Sequence, residues 1–418
     1  MGGSQSPGVP TAQARWRRPI LPLPTLHPPR SDVRVSSVIA AASELVGELQ
    51  ETAHLLDREG AVPVREVRLL AEAGLLAAPV PRAYGGLGLG TDPGETVSLL
   101  ALLSEIGRGN LSLGRIYEGH VNVLHTIATY GTPAQLARVA ADVRDGRLLC
   151  GVWNTEGSDG VTIEPIGEGR YRLSGAKTFA SGTGVVARAL VTGRMPDGGW
   201  QMCLIPMDRV TTPPDASWWR PLGMHGSASF KVDFSGVEIE ADDLIGAPGD
   251  YQRQPWLSGG AIRFAAVQLG GAEALFDVAR TELRSLGREG DPHQQARFGQ
   301  LAIGIEAGRL WLRGAAPYMD RMIAATQDGQ LTPDDAARFV AYVNMARTAI
   351  ERICLDTIEL VERSIGVRGL LQPHPIERLV RDLTVYLRQP APDAALTDAG
   401  RYALTSTASS PELWSLPA

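Results

Sequence analysis

The hydrophobic period changes twice along this chain, and that change constrains the fold more than any single residue. From Ser36 to about Arg144 apolar residues recur at helical spacing, as in Val38, Ile39, Ala42, Leu45, Val46 and Leu49, and again in Val64, Val67, Leu70, Ala71 and Leu75. Between Leu148 and about Gly249 the period drops to two, in short runs such as Tyr171-Arg172-Leu173, Ala189-Leu190-Val191-Thr192 and Lys231-Val232-Asp233-Phe234 separated by Gly and Pro turns. From Trp256 to about Leu404 the helical period returns in four long segments: Ala261 to Leu286, Gln294 to Met322, Pro333 to Ile365 and Ile376 to Arg388. The expected fold is α+β and mostly α. A helical domain over residues 36–148 precedes a barrel-like β domain over 149–255 and a four-helix bundle within 256–405, with tails at 1–35 and 406–418.

Composition narrows the function classes. With 418 residues, 44% of them apolar, the chain can bury a large core. Its net charge of -6 and the absence of a dense basic cluster argue against nucleic acid as a partner. No apolar run approaches the roughly 18 to 20 residues that a bilayer-spanning helix needs. The three cysteines, Cys150, Cys203 and Cys354, are far apart and odd in number, so they imply neither a disulfide framework nor a metal site. A reducing, cytoplasmic setting is expected. The first 35 residues are rich in Pro, Ser and Arg with no acid before Asp32, as in a transit peptide, but their prolines oppose an amphipathic helix. The start Met1-Gly2-Gly3-Ser4-Gln5-Ser6 fits the loose myristoylation pattern. A disordered tail is the expectation there. Only two lysines occur, Lys177 and Lys231, against a large excess of arginine.

Six motifs follow one another along this frame. Leu75 to Gly88 ends in Pro81-Arg82-Ala83-Tyr84-Gly85-Gly86-Leu87-Gly88. Tyr130-Gly131-Thr132-Pro133-Ala134-Gln135 offers Thr132 as a helix N-cap with Pro133 at the first helical position. Thr155-Glu156-Gly157-Ser158-Asp159 and Gly175-Ala176-Lys177-Thr178-Phe179-Ala180-Ser181-Gly182 lie in the β region. Leu222-Gly223-Met224-His225-Gly226-Ser227 runs on to Phe234, Val237 and Leu244-Ile245-Gly246, and Glu377-Arg378-Leu379-Val380-Arg381-Asp382 falls on the last long helix. Small hydroxyl residues beside glycine suit phosphate contacts, because they donate hydrogen bonds and let the backbone approach closely.

In this order, and over about residues 36 to 388, the motifs resemble those of the acyl-CoA dehydrogenase superfamily. The resemblance implies FAD as cofactor, with FMN as the alternative. By position Thr155 would lie by the flavin ring and Ser158 at the pyrophosphate, although the family's Pro-x-Ala between them is missing. Phe179 would pack on the isoalloxazine and Ser181 would reach its N5 edge, with Gly182 in place of the family's Asn. The family's pyrophosphate-gripping Arg has no clear copy; Arg284 is nearest, with Arg280 as the alternative. The glycines that meet the adenine end from a neighbouring subunit correspond to Gly366, with Gly369 beyond. A homodimer or homotetramer is implied.

The departures bear on mechanism. Dehydrogenation of an acyl thioester needs a carboxylate opposite the flavin to take the α-proton. The family's Glu position falls here at Pro390 or Gln389, within Leu387-Arg388-Gln389-Pro390-Ala391, and the alternative site before Arg263 holds Ile262. Neither supplies a base. Candidate substitutes are Asp393, which would otherwise be a solvated loop carboxylate, and His120 or His125, which with Tyr117 fall on helices that face the substrate in relatives. Glu156 reads as structural. Three functions remain open: an FAD-dependent oxidoreductase acting on an acyl thioester or related small molecule, passing electrons to an electron-transfer flavoprotein; a monooxygenase supplied with reduced flavin by a separate reductase; and a degenerate binding or assembly protein.

Overall fold

The computed structural model describes residues 35–415. The tail expected over 1–35 and its N-terminal patterns lie outside these residues, apart from Val35. Five helices come first: α1 Val35–Thr52, α2 Val64–Glu72, α3 Thr96–Gly109, α4 Leu111–Tyr130 and α5 Pro133–Arg144. Their boundaries follow from side-chain caps. Asn110 accepts from the Leu113 N–H to start α4, and Thr132 forms a reciprocal capping box with Gln135 to start α5. Gln135 has a second task, because its Nε2 donates to the carbonyls of Asp242 and Leu244 and so ties α5 to the β domain.

The middle of the chain forms nine strands: β1 Leu149–Trp153, β2 Thr162–Gly167, β3 Arg170–Ser174, β4 Ala176–Ala180, β5 Val186–Arg194, β6 Trp200–Pro206, β7 Phe230–Asp233, β8 Glu238–Glu240 and β9 Leu244–Ile245. Seven of them make one sheet in the order β8-β3-β2-β5-β6-β9, with β1 parallel to β5, and β4 pairs separately with β7. Alternation is clearest where one face is solvated. In β5 and β6, which are nearly buried on both faces, it gives way to apolar runs.

The C-terminal helices are a short α6 Trp256–Gly259, then α7 Ala261–Ser285, α8 Pro292–Gln327, α9 Pro333–Ile365 and α10 Pro375–Tyr386. Helix α7 runs through the middle of this assembly against α3, α4, α9 and α10, and most of its first fifteen residues are buried. A further helix, α11 Pro392–Thr405, packs along α9. Residues 406–415, expected as part of a tail, instead turn back. A last helical turn, α12 Ser410–Leu413, buries Leu413 and sets the Trp414 ring against Tyr342 and Tyr402.

One clamp joins all three parts. Arg381 on α10 pairs with Glu377 one turn earlier at 2.6 Å, with Asp57 of the first helical domain at 2.6 Å, and donates to the Leu222 carbonyl of the β domain at 2.9 Å. Beside it Asp382 accepts from the Met224 N–H and pairs with Arg378. The intervening Gly223 has no room for a side chain, since a Cβ there would stand 2.5 Å from the Arg381 backbone. Burial pushes the Asp57 carboxyl up, but Arg381 and His225 outweigh it and hold the group below its usual range.

Candidate functional site

The loop from Asn154 to Gly160 leaves the end of β1 and carries Thr155 and Ser158, both exposed. Its shape is set by the two lysines of the chain. Lys177 is wholly buried and donates to the Asn154 carbonyl, to Glu156 Oε2 at 2.5 Å and to Thr192 Oγ1. Lys231 pairs with Asp159 at 2.6 Å. Both acids of the Thr-Glu-Gly-Ser-Asp motif are therefore ion-paired, and each half of the loop is pinned to β4 or β7. The backbone of Thr155 accepts from the Thr178 N–H, which brings the loop alongside Phe179.

Phe179 is 48% exposed and sits at φ +52°, a conformation that costs a non-glycine residue roughly 1–2 kcal/mol. Trp218 and Trp219 stack on each other, and Phe179 meets both edge to face, at 4.8 and 5.8 Å between ring centroids. The three rings form an aromatic surface beside polar loop residues. Ser181 lies just behind. Its hydroxyl bonds Ser229, which bonds Ser227, and its carbonyl accepts from Trp153 Nε1. Gly182 follows at φ +81°, and a Cβ there would stand 2.8 Å from Val186 Cγ2, so the turn takes glycine where asparagine would crowd it. A strained, exposed aromatic flanked by hydroxyl donors fits the face and phosphate of a flavin. Replacing Phe179 by Gly relieves the backbone strain while losing the tryptophan edges, so the stability of the flavin-free protein should change by no more than about 1 kcal/mol. Flavin affinity, read by fluorescence titration, should fall at least about tenfold.

A second region lies where α4, β1 and the start of α7 meet. Glu118, Asn122, Thr126 and Tyr130 recur every four residues on α4 and form a polar stripe on a helix otherwise buried among apolar groups. Arg115 donates to Glu118 Oε2 at 2.6 Å, Asn122 donates to Glu118 Oε1, and Asn122 Oδ1 accepts from Arg263 Nε. Here one carboxylate serves two guanidinium groups. Arg263 is 4% exposed and makes no ion pair among the described residues, and its Nη1 has no hydrogen-bond partner. Burial holds it down at about 10. His125 Nε2 and the Tyr130 hydroxyl are likewise buried without partners, and Val152, Tyr251 and Trp256 complete the pocket around them.

The two histidines singled out in the sequence differ in kind. His120 accepts from the Cys150 N–H at Nδ1, so its Nε2 carries the proton and donates to the Leu76 carbonyl at 2.8 Å. Both nitrogens are occupied, and burial pushes the ring down to about 4. It pins α4 to β1 and has no free atom for substrate. His125 donates from Nδ1 to the Gly90 carbonyl, leaving Nε2 as a lone pair in the pocket. Burial first, and Arg263 second, push it down to about 3. Tyr117 is fully buried and donates to the Leu75 carbonyl. Asp393 is exposed in the first turn of α11, and Gln389 donates to the Tyr386 carbonyl. Pro390 is exposed and Ile262 fully buried.

Arg284 and Arg280 are exposed near the C-terminal end of α7, Arg284 about 30 Å along the helix from Arg263. Gly366 ends α9 at φ +73°, and Gly369 packs against Ile365 in the following turn. Arg368 of that turn reaches Glu282, so Arg284, Gly366 and Gly369 share one end of the bundle. Thr155, Ser158, Phe179 and Ser181 form a separate group. The residues that sequence reasoning missed are Arg263, Asn122, Tyr130, Trp218 and Trp219. The four-residue polar stripe on α4 was the available signal for two of them.

Comparison with known proteins follows the same division. The sequence model described as "Acyl-CoA dehydrogenase, N-terminal domain" matches residues 38–147, and that described as "Acyl-CoA dehydrogenase, C-terminal domain" matches residues 262–388, between them more than half of the chain. The chain belongs to the acyl-CoA dehydrogenase superfamily. Within it, a dibenzothiophene monooxygenase of Mycolicibacterium goodii is 25% identical over 88% of this chain and 93% of its own length. A probable FMNH2-dependent monooxygenase, SfnC of Pseudomonas putida, is 24% identical over 94% and 99%. The fold is that of FMN-bound TdsC from Paenibacillus sp. A11-2, with a TM-score of 0.79 at 23% identity, covering 90% of this chain and 100% of that one. Among the described residues no helix is long and apolar enough to cross a membrane, and no group of His, Cys, Asp and Glu is arranged to hold a metal ion.

Proposed function

We propose that the chain is a flavin-dependent monooxygenase that takes reduced flavin from a separate reductase. The coarser class, a flavin-dependent oxidoreductase, comes with the family. One observation carries the finer reading: among the described residues, the pocket beside α4 and α7 has no carboxylate in its wall. Its ionisable groups are a histidine pushed down to about 3, tyrosines pushed up to about 12 and an arginine. A base held near 3 is too weak to take an α-proton from a thioester at neutral pH. Both family base positions are apolar or amide, at Ile262 and at Gln389 or Pro390.

When bound, reduced flavin and oxygen would deliver one oxygen atom to the substrate and release the other as water, with both electrons coming from the flavin. The chain's own residues then have to bind, orient and exclude water. Phe179, Trp218 and Trp219 present a face to the ring, and Thr155 and Ser158 offer hydroxyls to the ring edge and phosphate. These contacts are common to FMN and FAD. His125 Nε2 can accept a hydrogen bond in the pocket without becoming charged. Arg284, Gly366 and Gly369 lie at the other end of the bundle from Arg263, which supports a homo-oligomer in which they serve the flavin of a second copy.

The reading is tested with the flavin-loaded protein. Anaerobic mixing with a panel of acyl-CoAs should leave the oxidised flavin band intact. Oxygen added to the reduced, protein-bound flavin should restore that band through a distinct transient absorbance. Bleaching by any acyl-CoA would sink the proposal in favour of dehydrogenation.

A further inference from the structure

The pocket between α4 and α7 holds a buried guanidinium with no direct carboxylate partner among the described residues. Arg263 is nine-tenths or more buried, its Nε is committed to Asn122, and its Nη1 is unpartnered in a space that it shares with the unpartnered hydroxyl of Tyr130. Buried polar groups are nearly always paired in folded proteins, and buried charges almost without exception. Neither neighbouring acid pairs directly with Arg263, although Glu118 favours its charge from a distance and Asp250 Oδ1 is buried without a hydrogen bond. Glu118 is shared between Arg115 and Asn122, and Asp250, on the Tyr130 side, faces Arg253 at 3.0 Å and accepts from the Ala247 N–H.

We propose that this pocket is the receptor for the oxyanion of a small organic acid, a carboxylate or sulfinate, with the Arg263 guanidinium and the Tyr130 hydroxyl as its donors. The proposal rests on the monooxygenase reading in that it names the substrate class of the same site. Asn122 positions Arg263, since Glu118 fixes the amide so that its oxygen faces the guanidinium. Val152, Tyr251 and Trp256 give the acid's carbon frame apolar walls, and His125 Nε2 adds an acceptor for any O–H or N–H that the ligand carries. Arg263 keeps its charge at neutral pH, because burial lowers it only to about 10. The pocket wall also reaches the flavin side: Val152 is two residues before Asn154, where the loop bearing Thr155 begins.

Calorimetric titration of the full-length chain with propionate, ethanesulfinate and benzoate, each beside its neutral amide where one exists, tests this directly. The anions should bind at least about tenfold more tightly than propionamide or benzamide. The stronger of propionate and ethanesulfinate identifies the head group, and benzoate reports whether the walls take a ring. Arg263→Met should abolish the preference for anions. It also takes the Nε donor from Asn122 Oδ1, so a modest fall in melting temperature is expected, and unchanged amide binding shows that the pocket still forms. Tyr130→Phe removes a hydroxyl without a partner, and it should weaken the anions about threefold or more while leaving the amides and the melting temperature unchanged. Equal binding of anion and amide by the native chain, or anion affinity that survives Arg263→Met, would overturn the proposal. Neither result touches the oxygen reaction of the reduced flavin, so the two readings fail separately.

Discussion

Stability is expected to drop as pH falls from 6.5 toward 4, with the fall beginning above the range in which most carboxylates titrate. His120 and His125 are buried neutral, pushed down to about 4 and about 3 from an ordinary value of 6.5. Between those values and 6.5 the unfolded chain binds a proton at each ring that the folded chain refuses. Stability therefore rises with pH across this window and is lost as pH falls through it. A shift of one unit corresponds to about 1.4 kcal/mol, so His120 alone accounts for about 3 kcal/mol and His125 for at least as much. Asp57, held low by Arg381 and His225, acts with the same sign but only near and below its ordinary value of 3.8. Calorimetric melting from pH 7.5 to 4.5 should show a falling Tm, with close to two protons taken up on unfolding near pH 5. His125→Gln should flatten about half of the slope. A Tm that stays level down to pH 4.5 would show that the rings are not sealed as described.

Lys177→Met should be the most damaging single substitution at the loop proposed to meet the flavin. It leaves Glu156 as an unpaired carboxylate and strips a donor from the Asn154 carbonyl and from Thr192 Oγ1. Breaking a buried pair by removing one partner costs about 3–5 kcal/mol. Because Asn154 and Glu156 flank Thr155, flavin affinity should fall by more than the loss of stability alone would produce. Glu156→Gln is the milder control, since Lys177 keeps its carbonyl and hydroxyl acceptors. Lys231→Met removes a largely exposed pair with Asp159 and should cost little stability. Denaturant melts and flavin titration of the three variants separate the effects. If Lys177→Met matched Lys231→Met in both, the loop would not depend on the buried lysine.

The fold was legible where local physics decides it. The cap of α5 at Thr132, the long apolar stripes of α7 to α10 and the period-two runs of β3, β5 and β7 all follow from neighbours in sequence. Helix α11 was not read as a separate element. Pro390-Ala391-Pro392 looks like a terminus, and the two residues it buries, Ala395 and Ala399, are too small to mark a face. The loop motifs were legible in the sequence, but the electrostatics of the pocket were not. Sequence put Arg263 beside Ile262, whereas its isolation depends on which carboxylates α4 and the Asp250 turn commit elsewhere. It likewise put His120 and His125 on the helices before Gly131-Thr132, and both fall on α4. Only the approach of the Cys150 N–H makes one of them a structural pin and leaves the other with a lone pair in the pocket. Trp218 and Trp219 lie some forty residues from Phe179 along the chain, so no short pattern links them.

The two lysines have a consequence for labelling chemistry. Lys177 is sealed from solvent, whereas the Lys231 side chain is about one-third exposed and stands one ion pair away from Asp159, next to Ser158. In a protein whose remaining cationic side chains are almost all guanidinium groups, an amine-selective dye has one exposed lysine to react with once any free α-amino group is blocked, at a pH high enough to release the Lys231 proton held by Asp159. That lysine borders the loop proposed to meet the flavin phosphate. The native sequence thus carries its own addressable reporter position at the site, with no engineered cysteine or unnatural residue required.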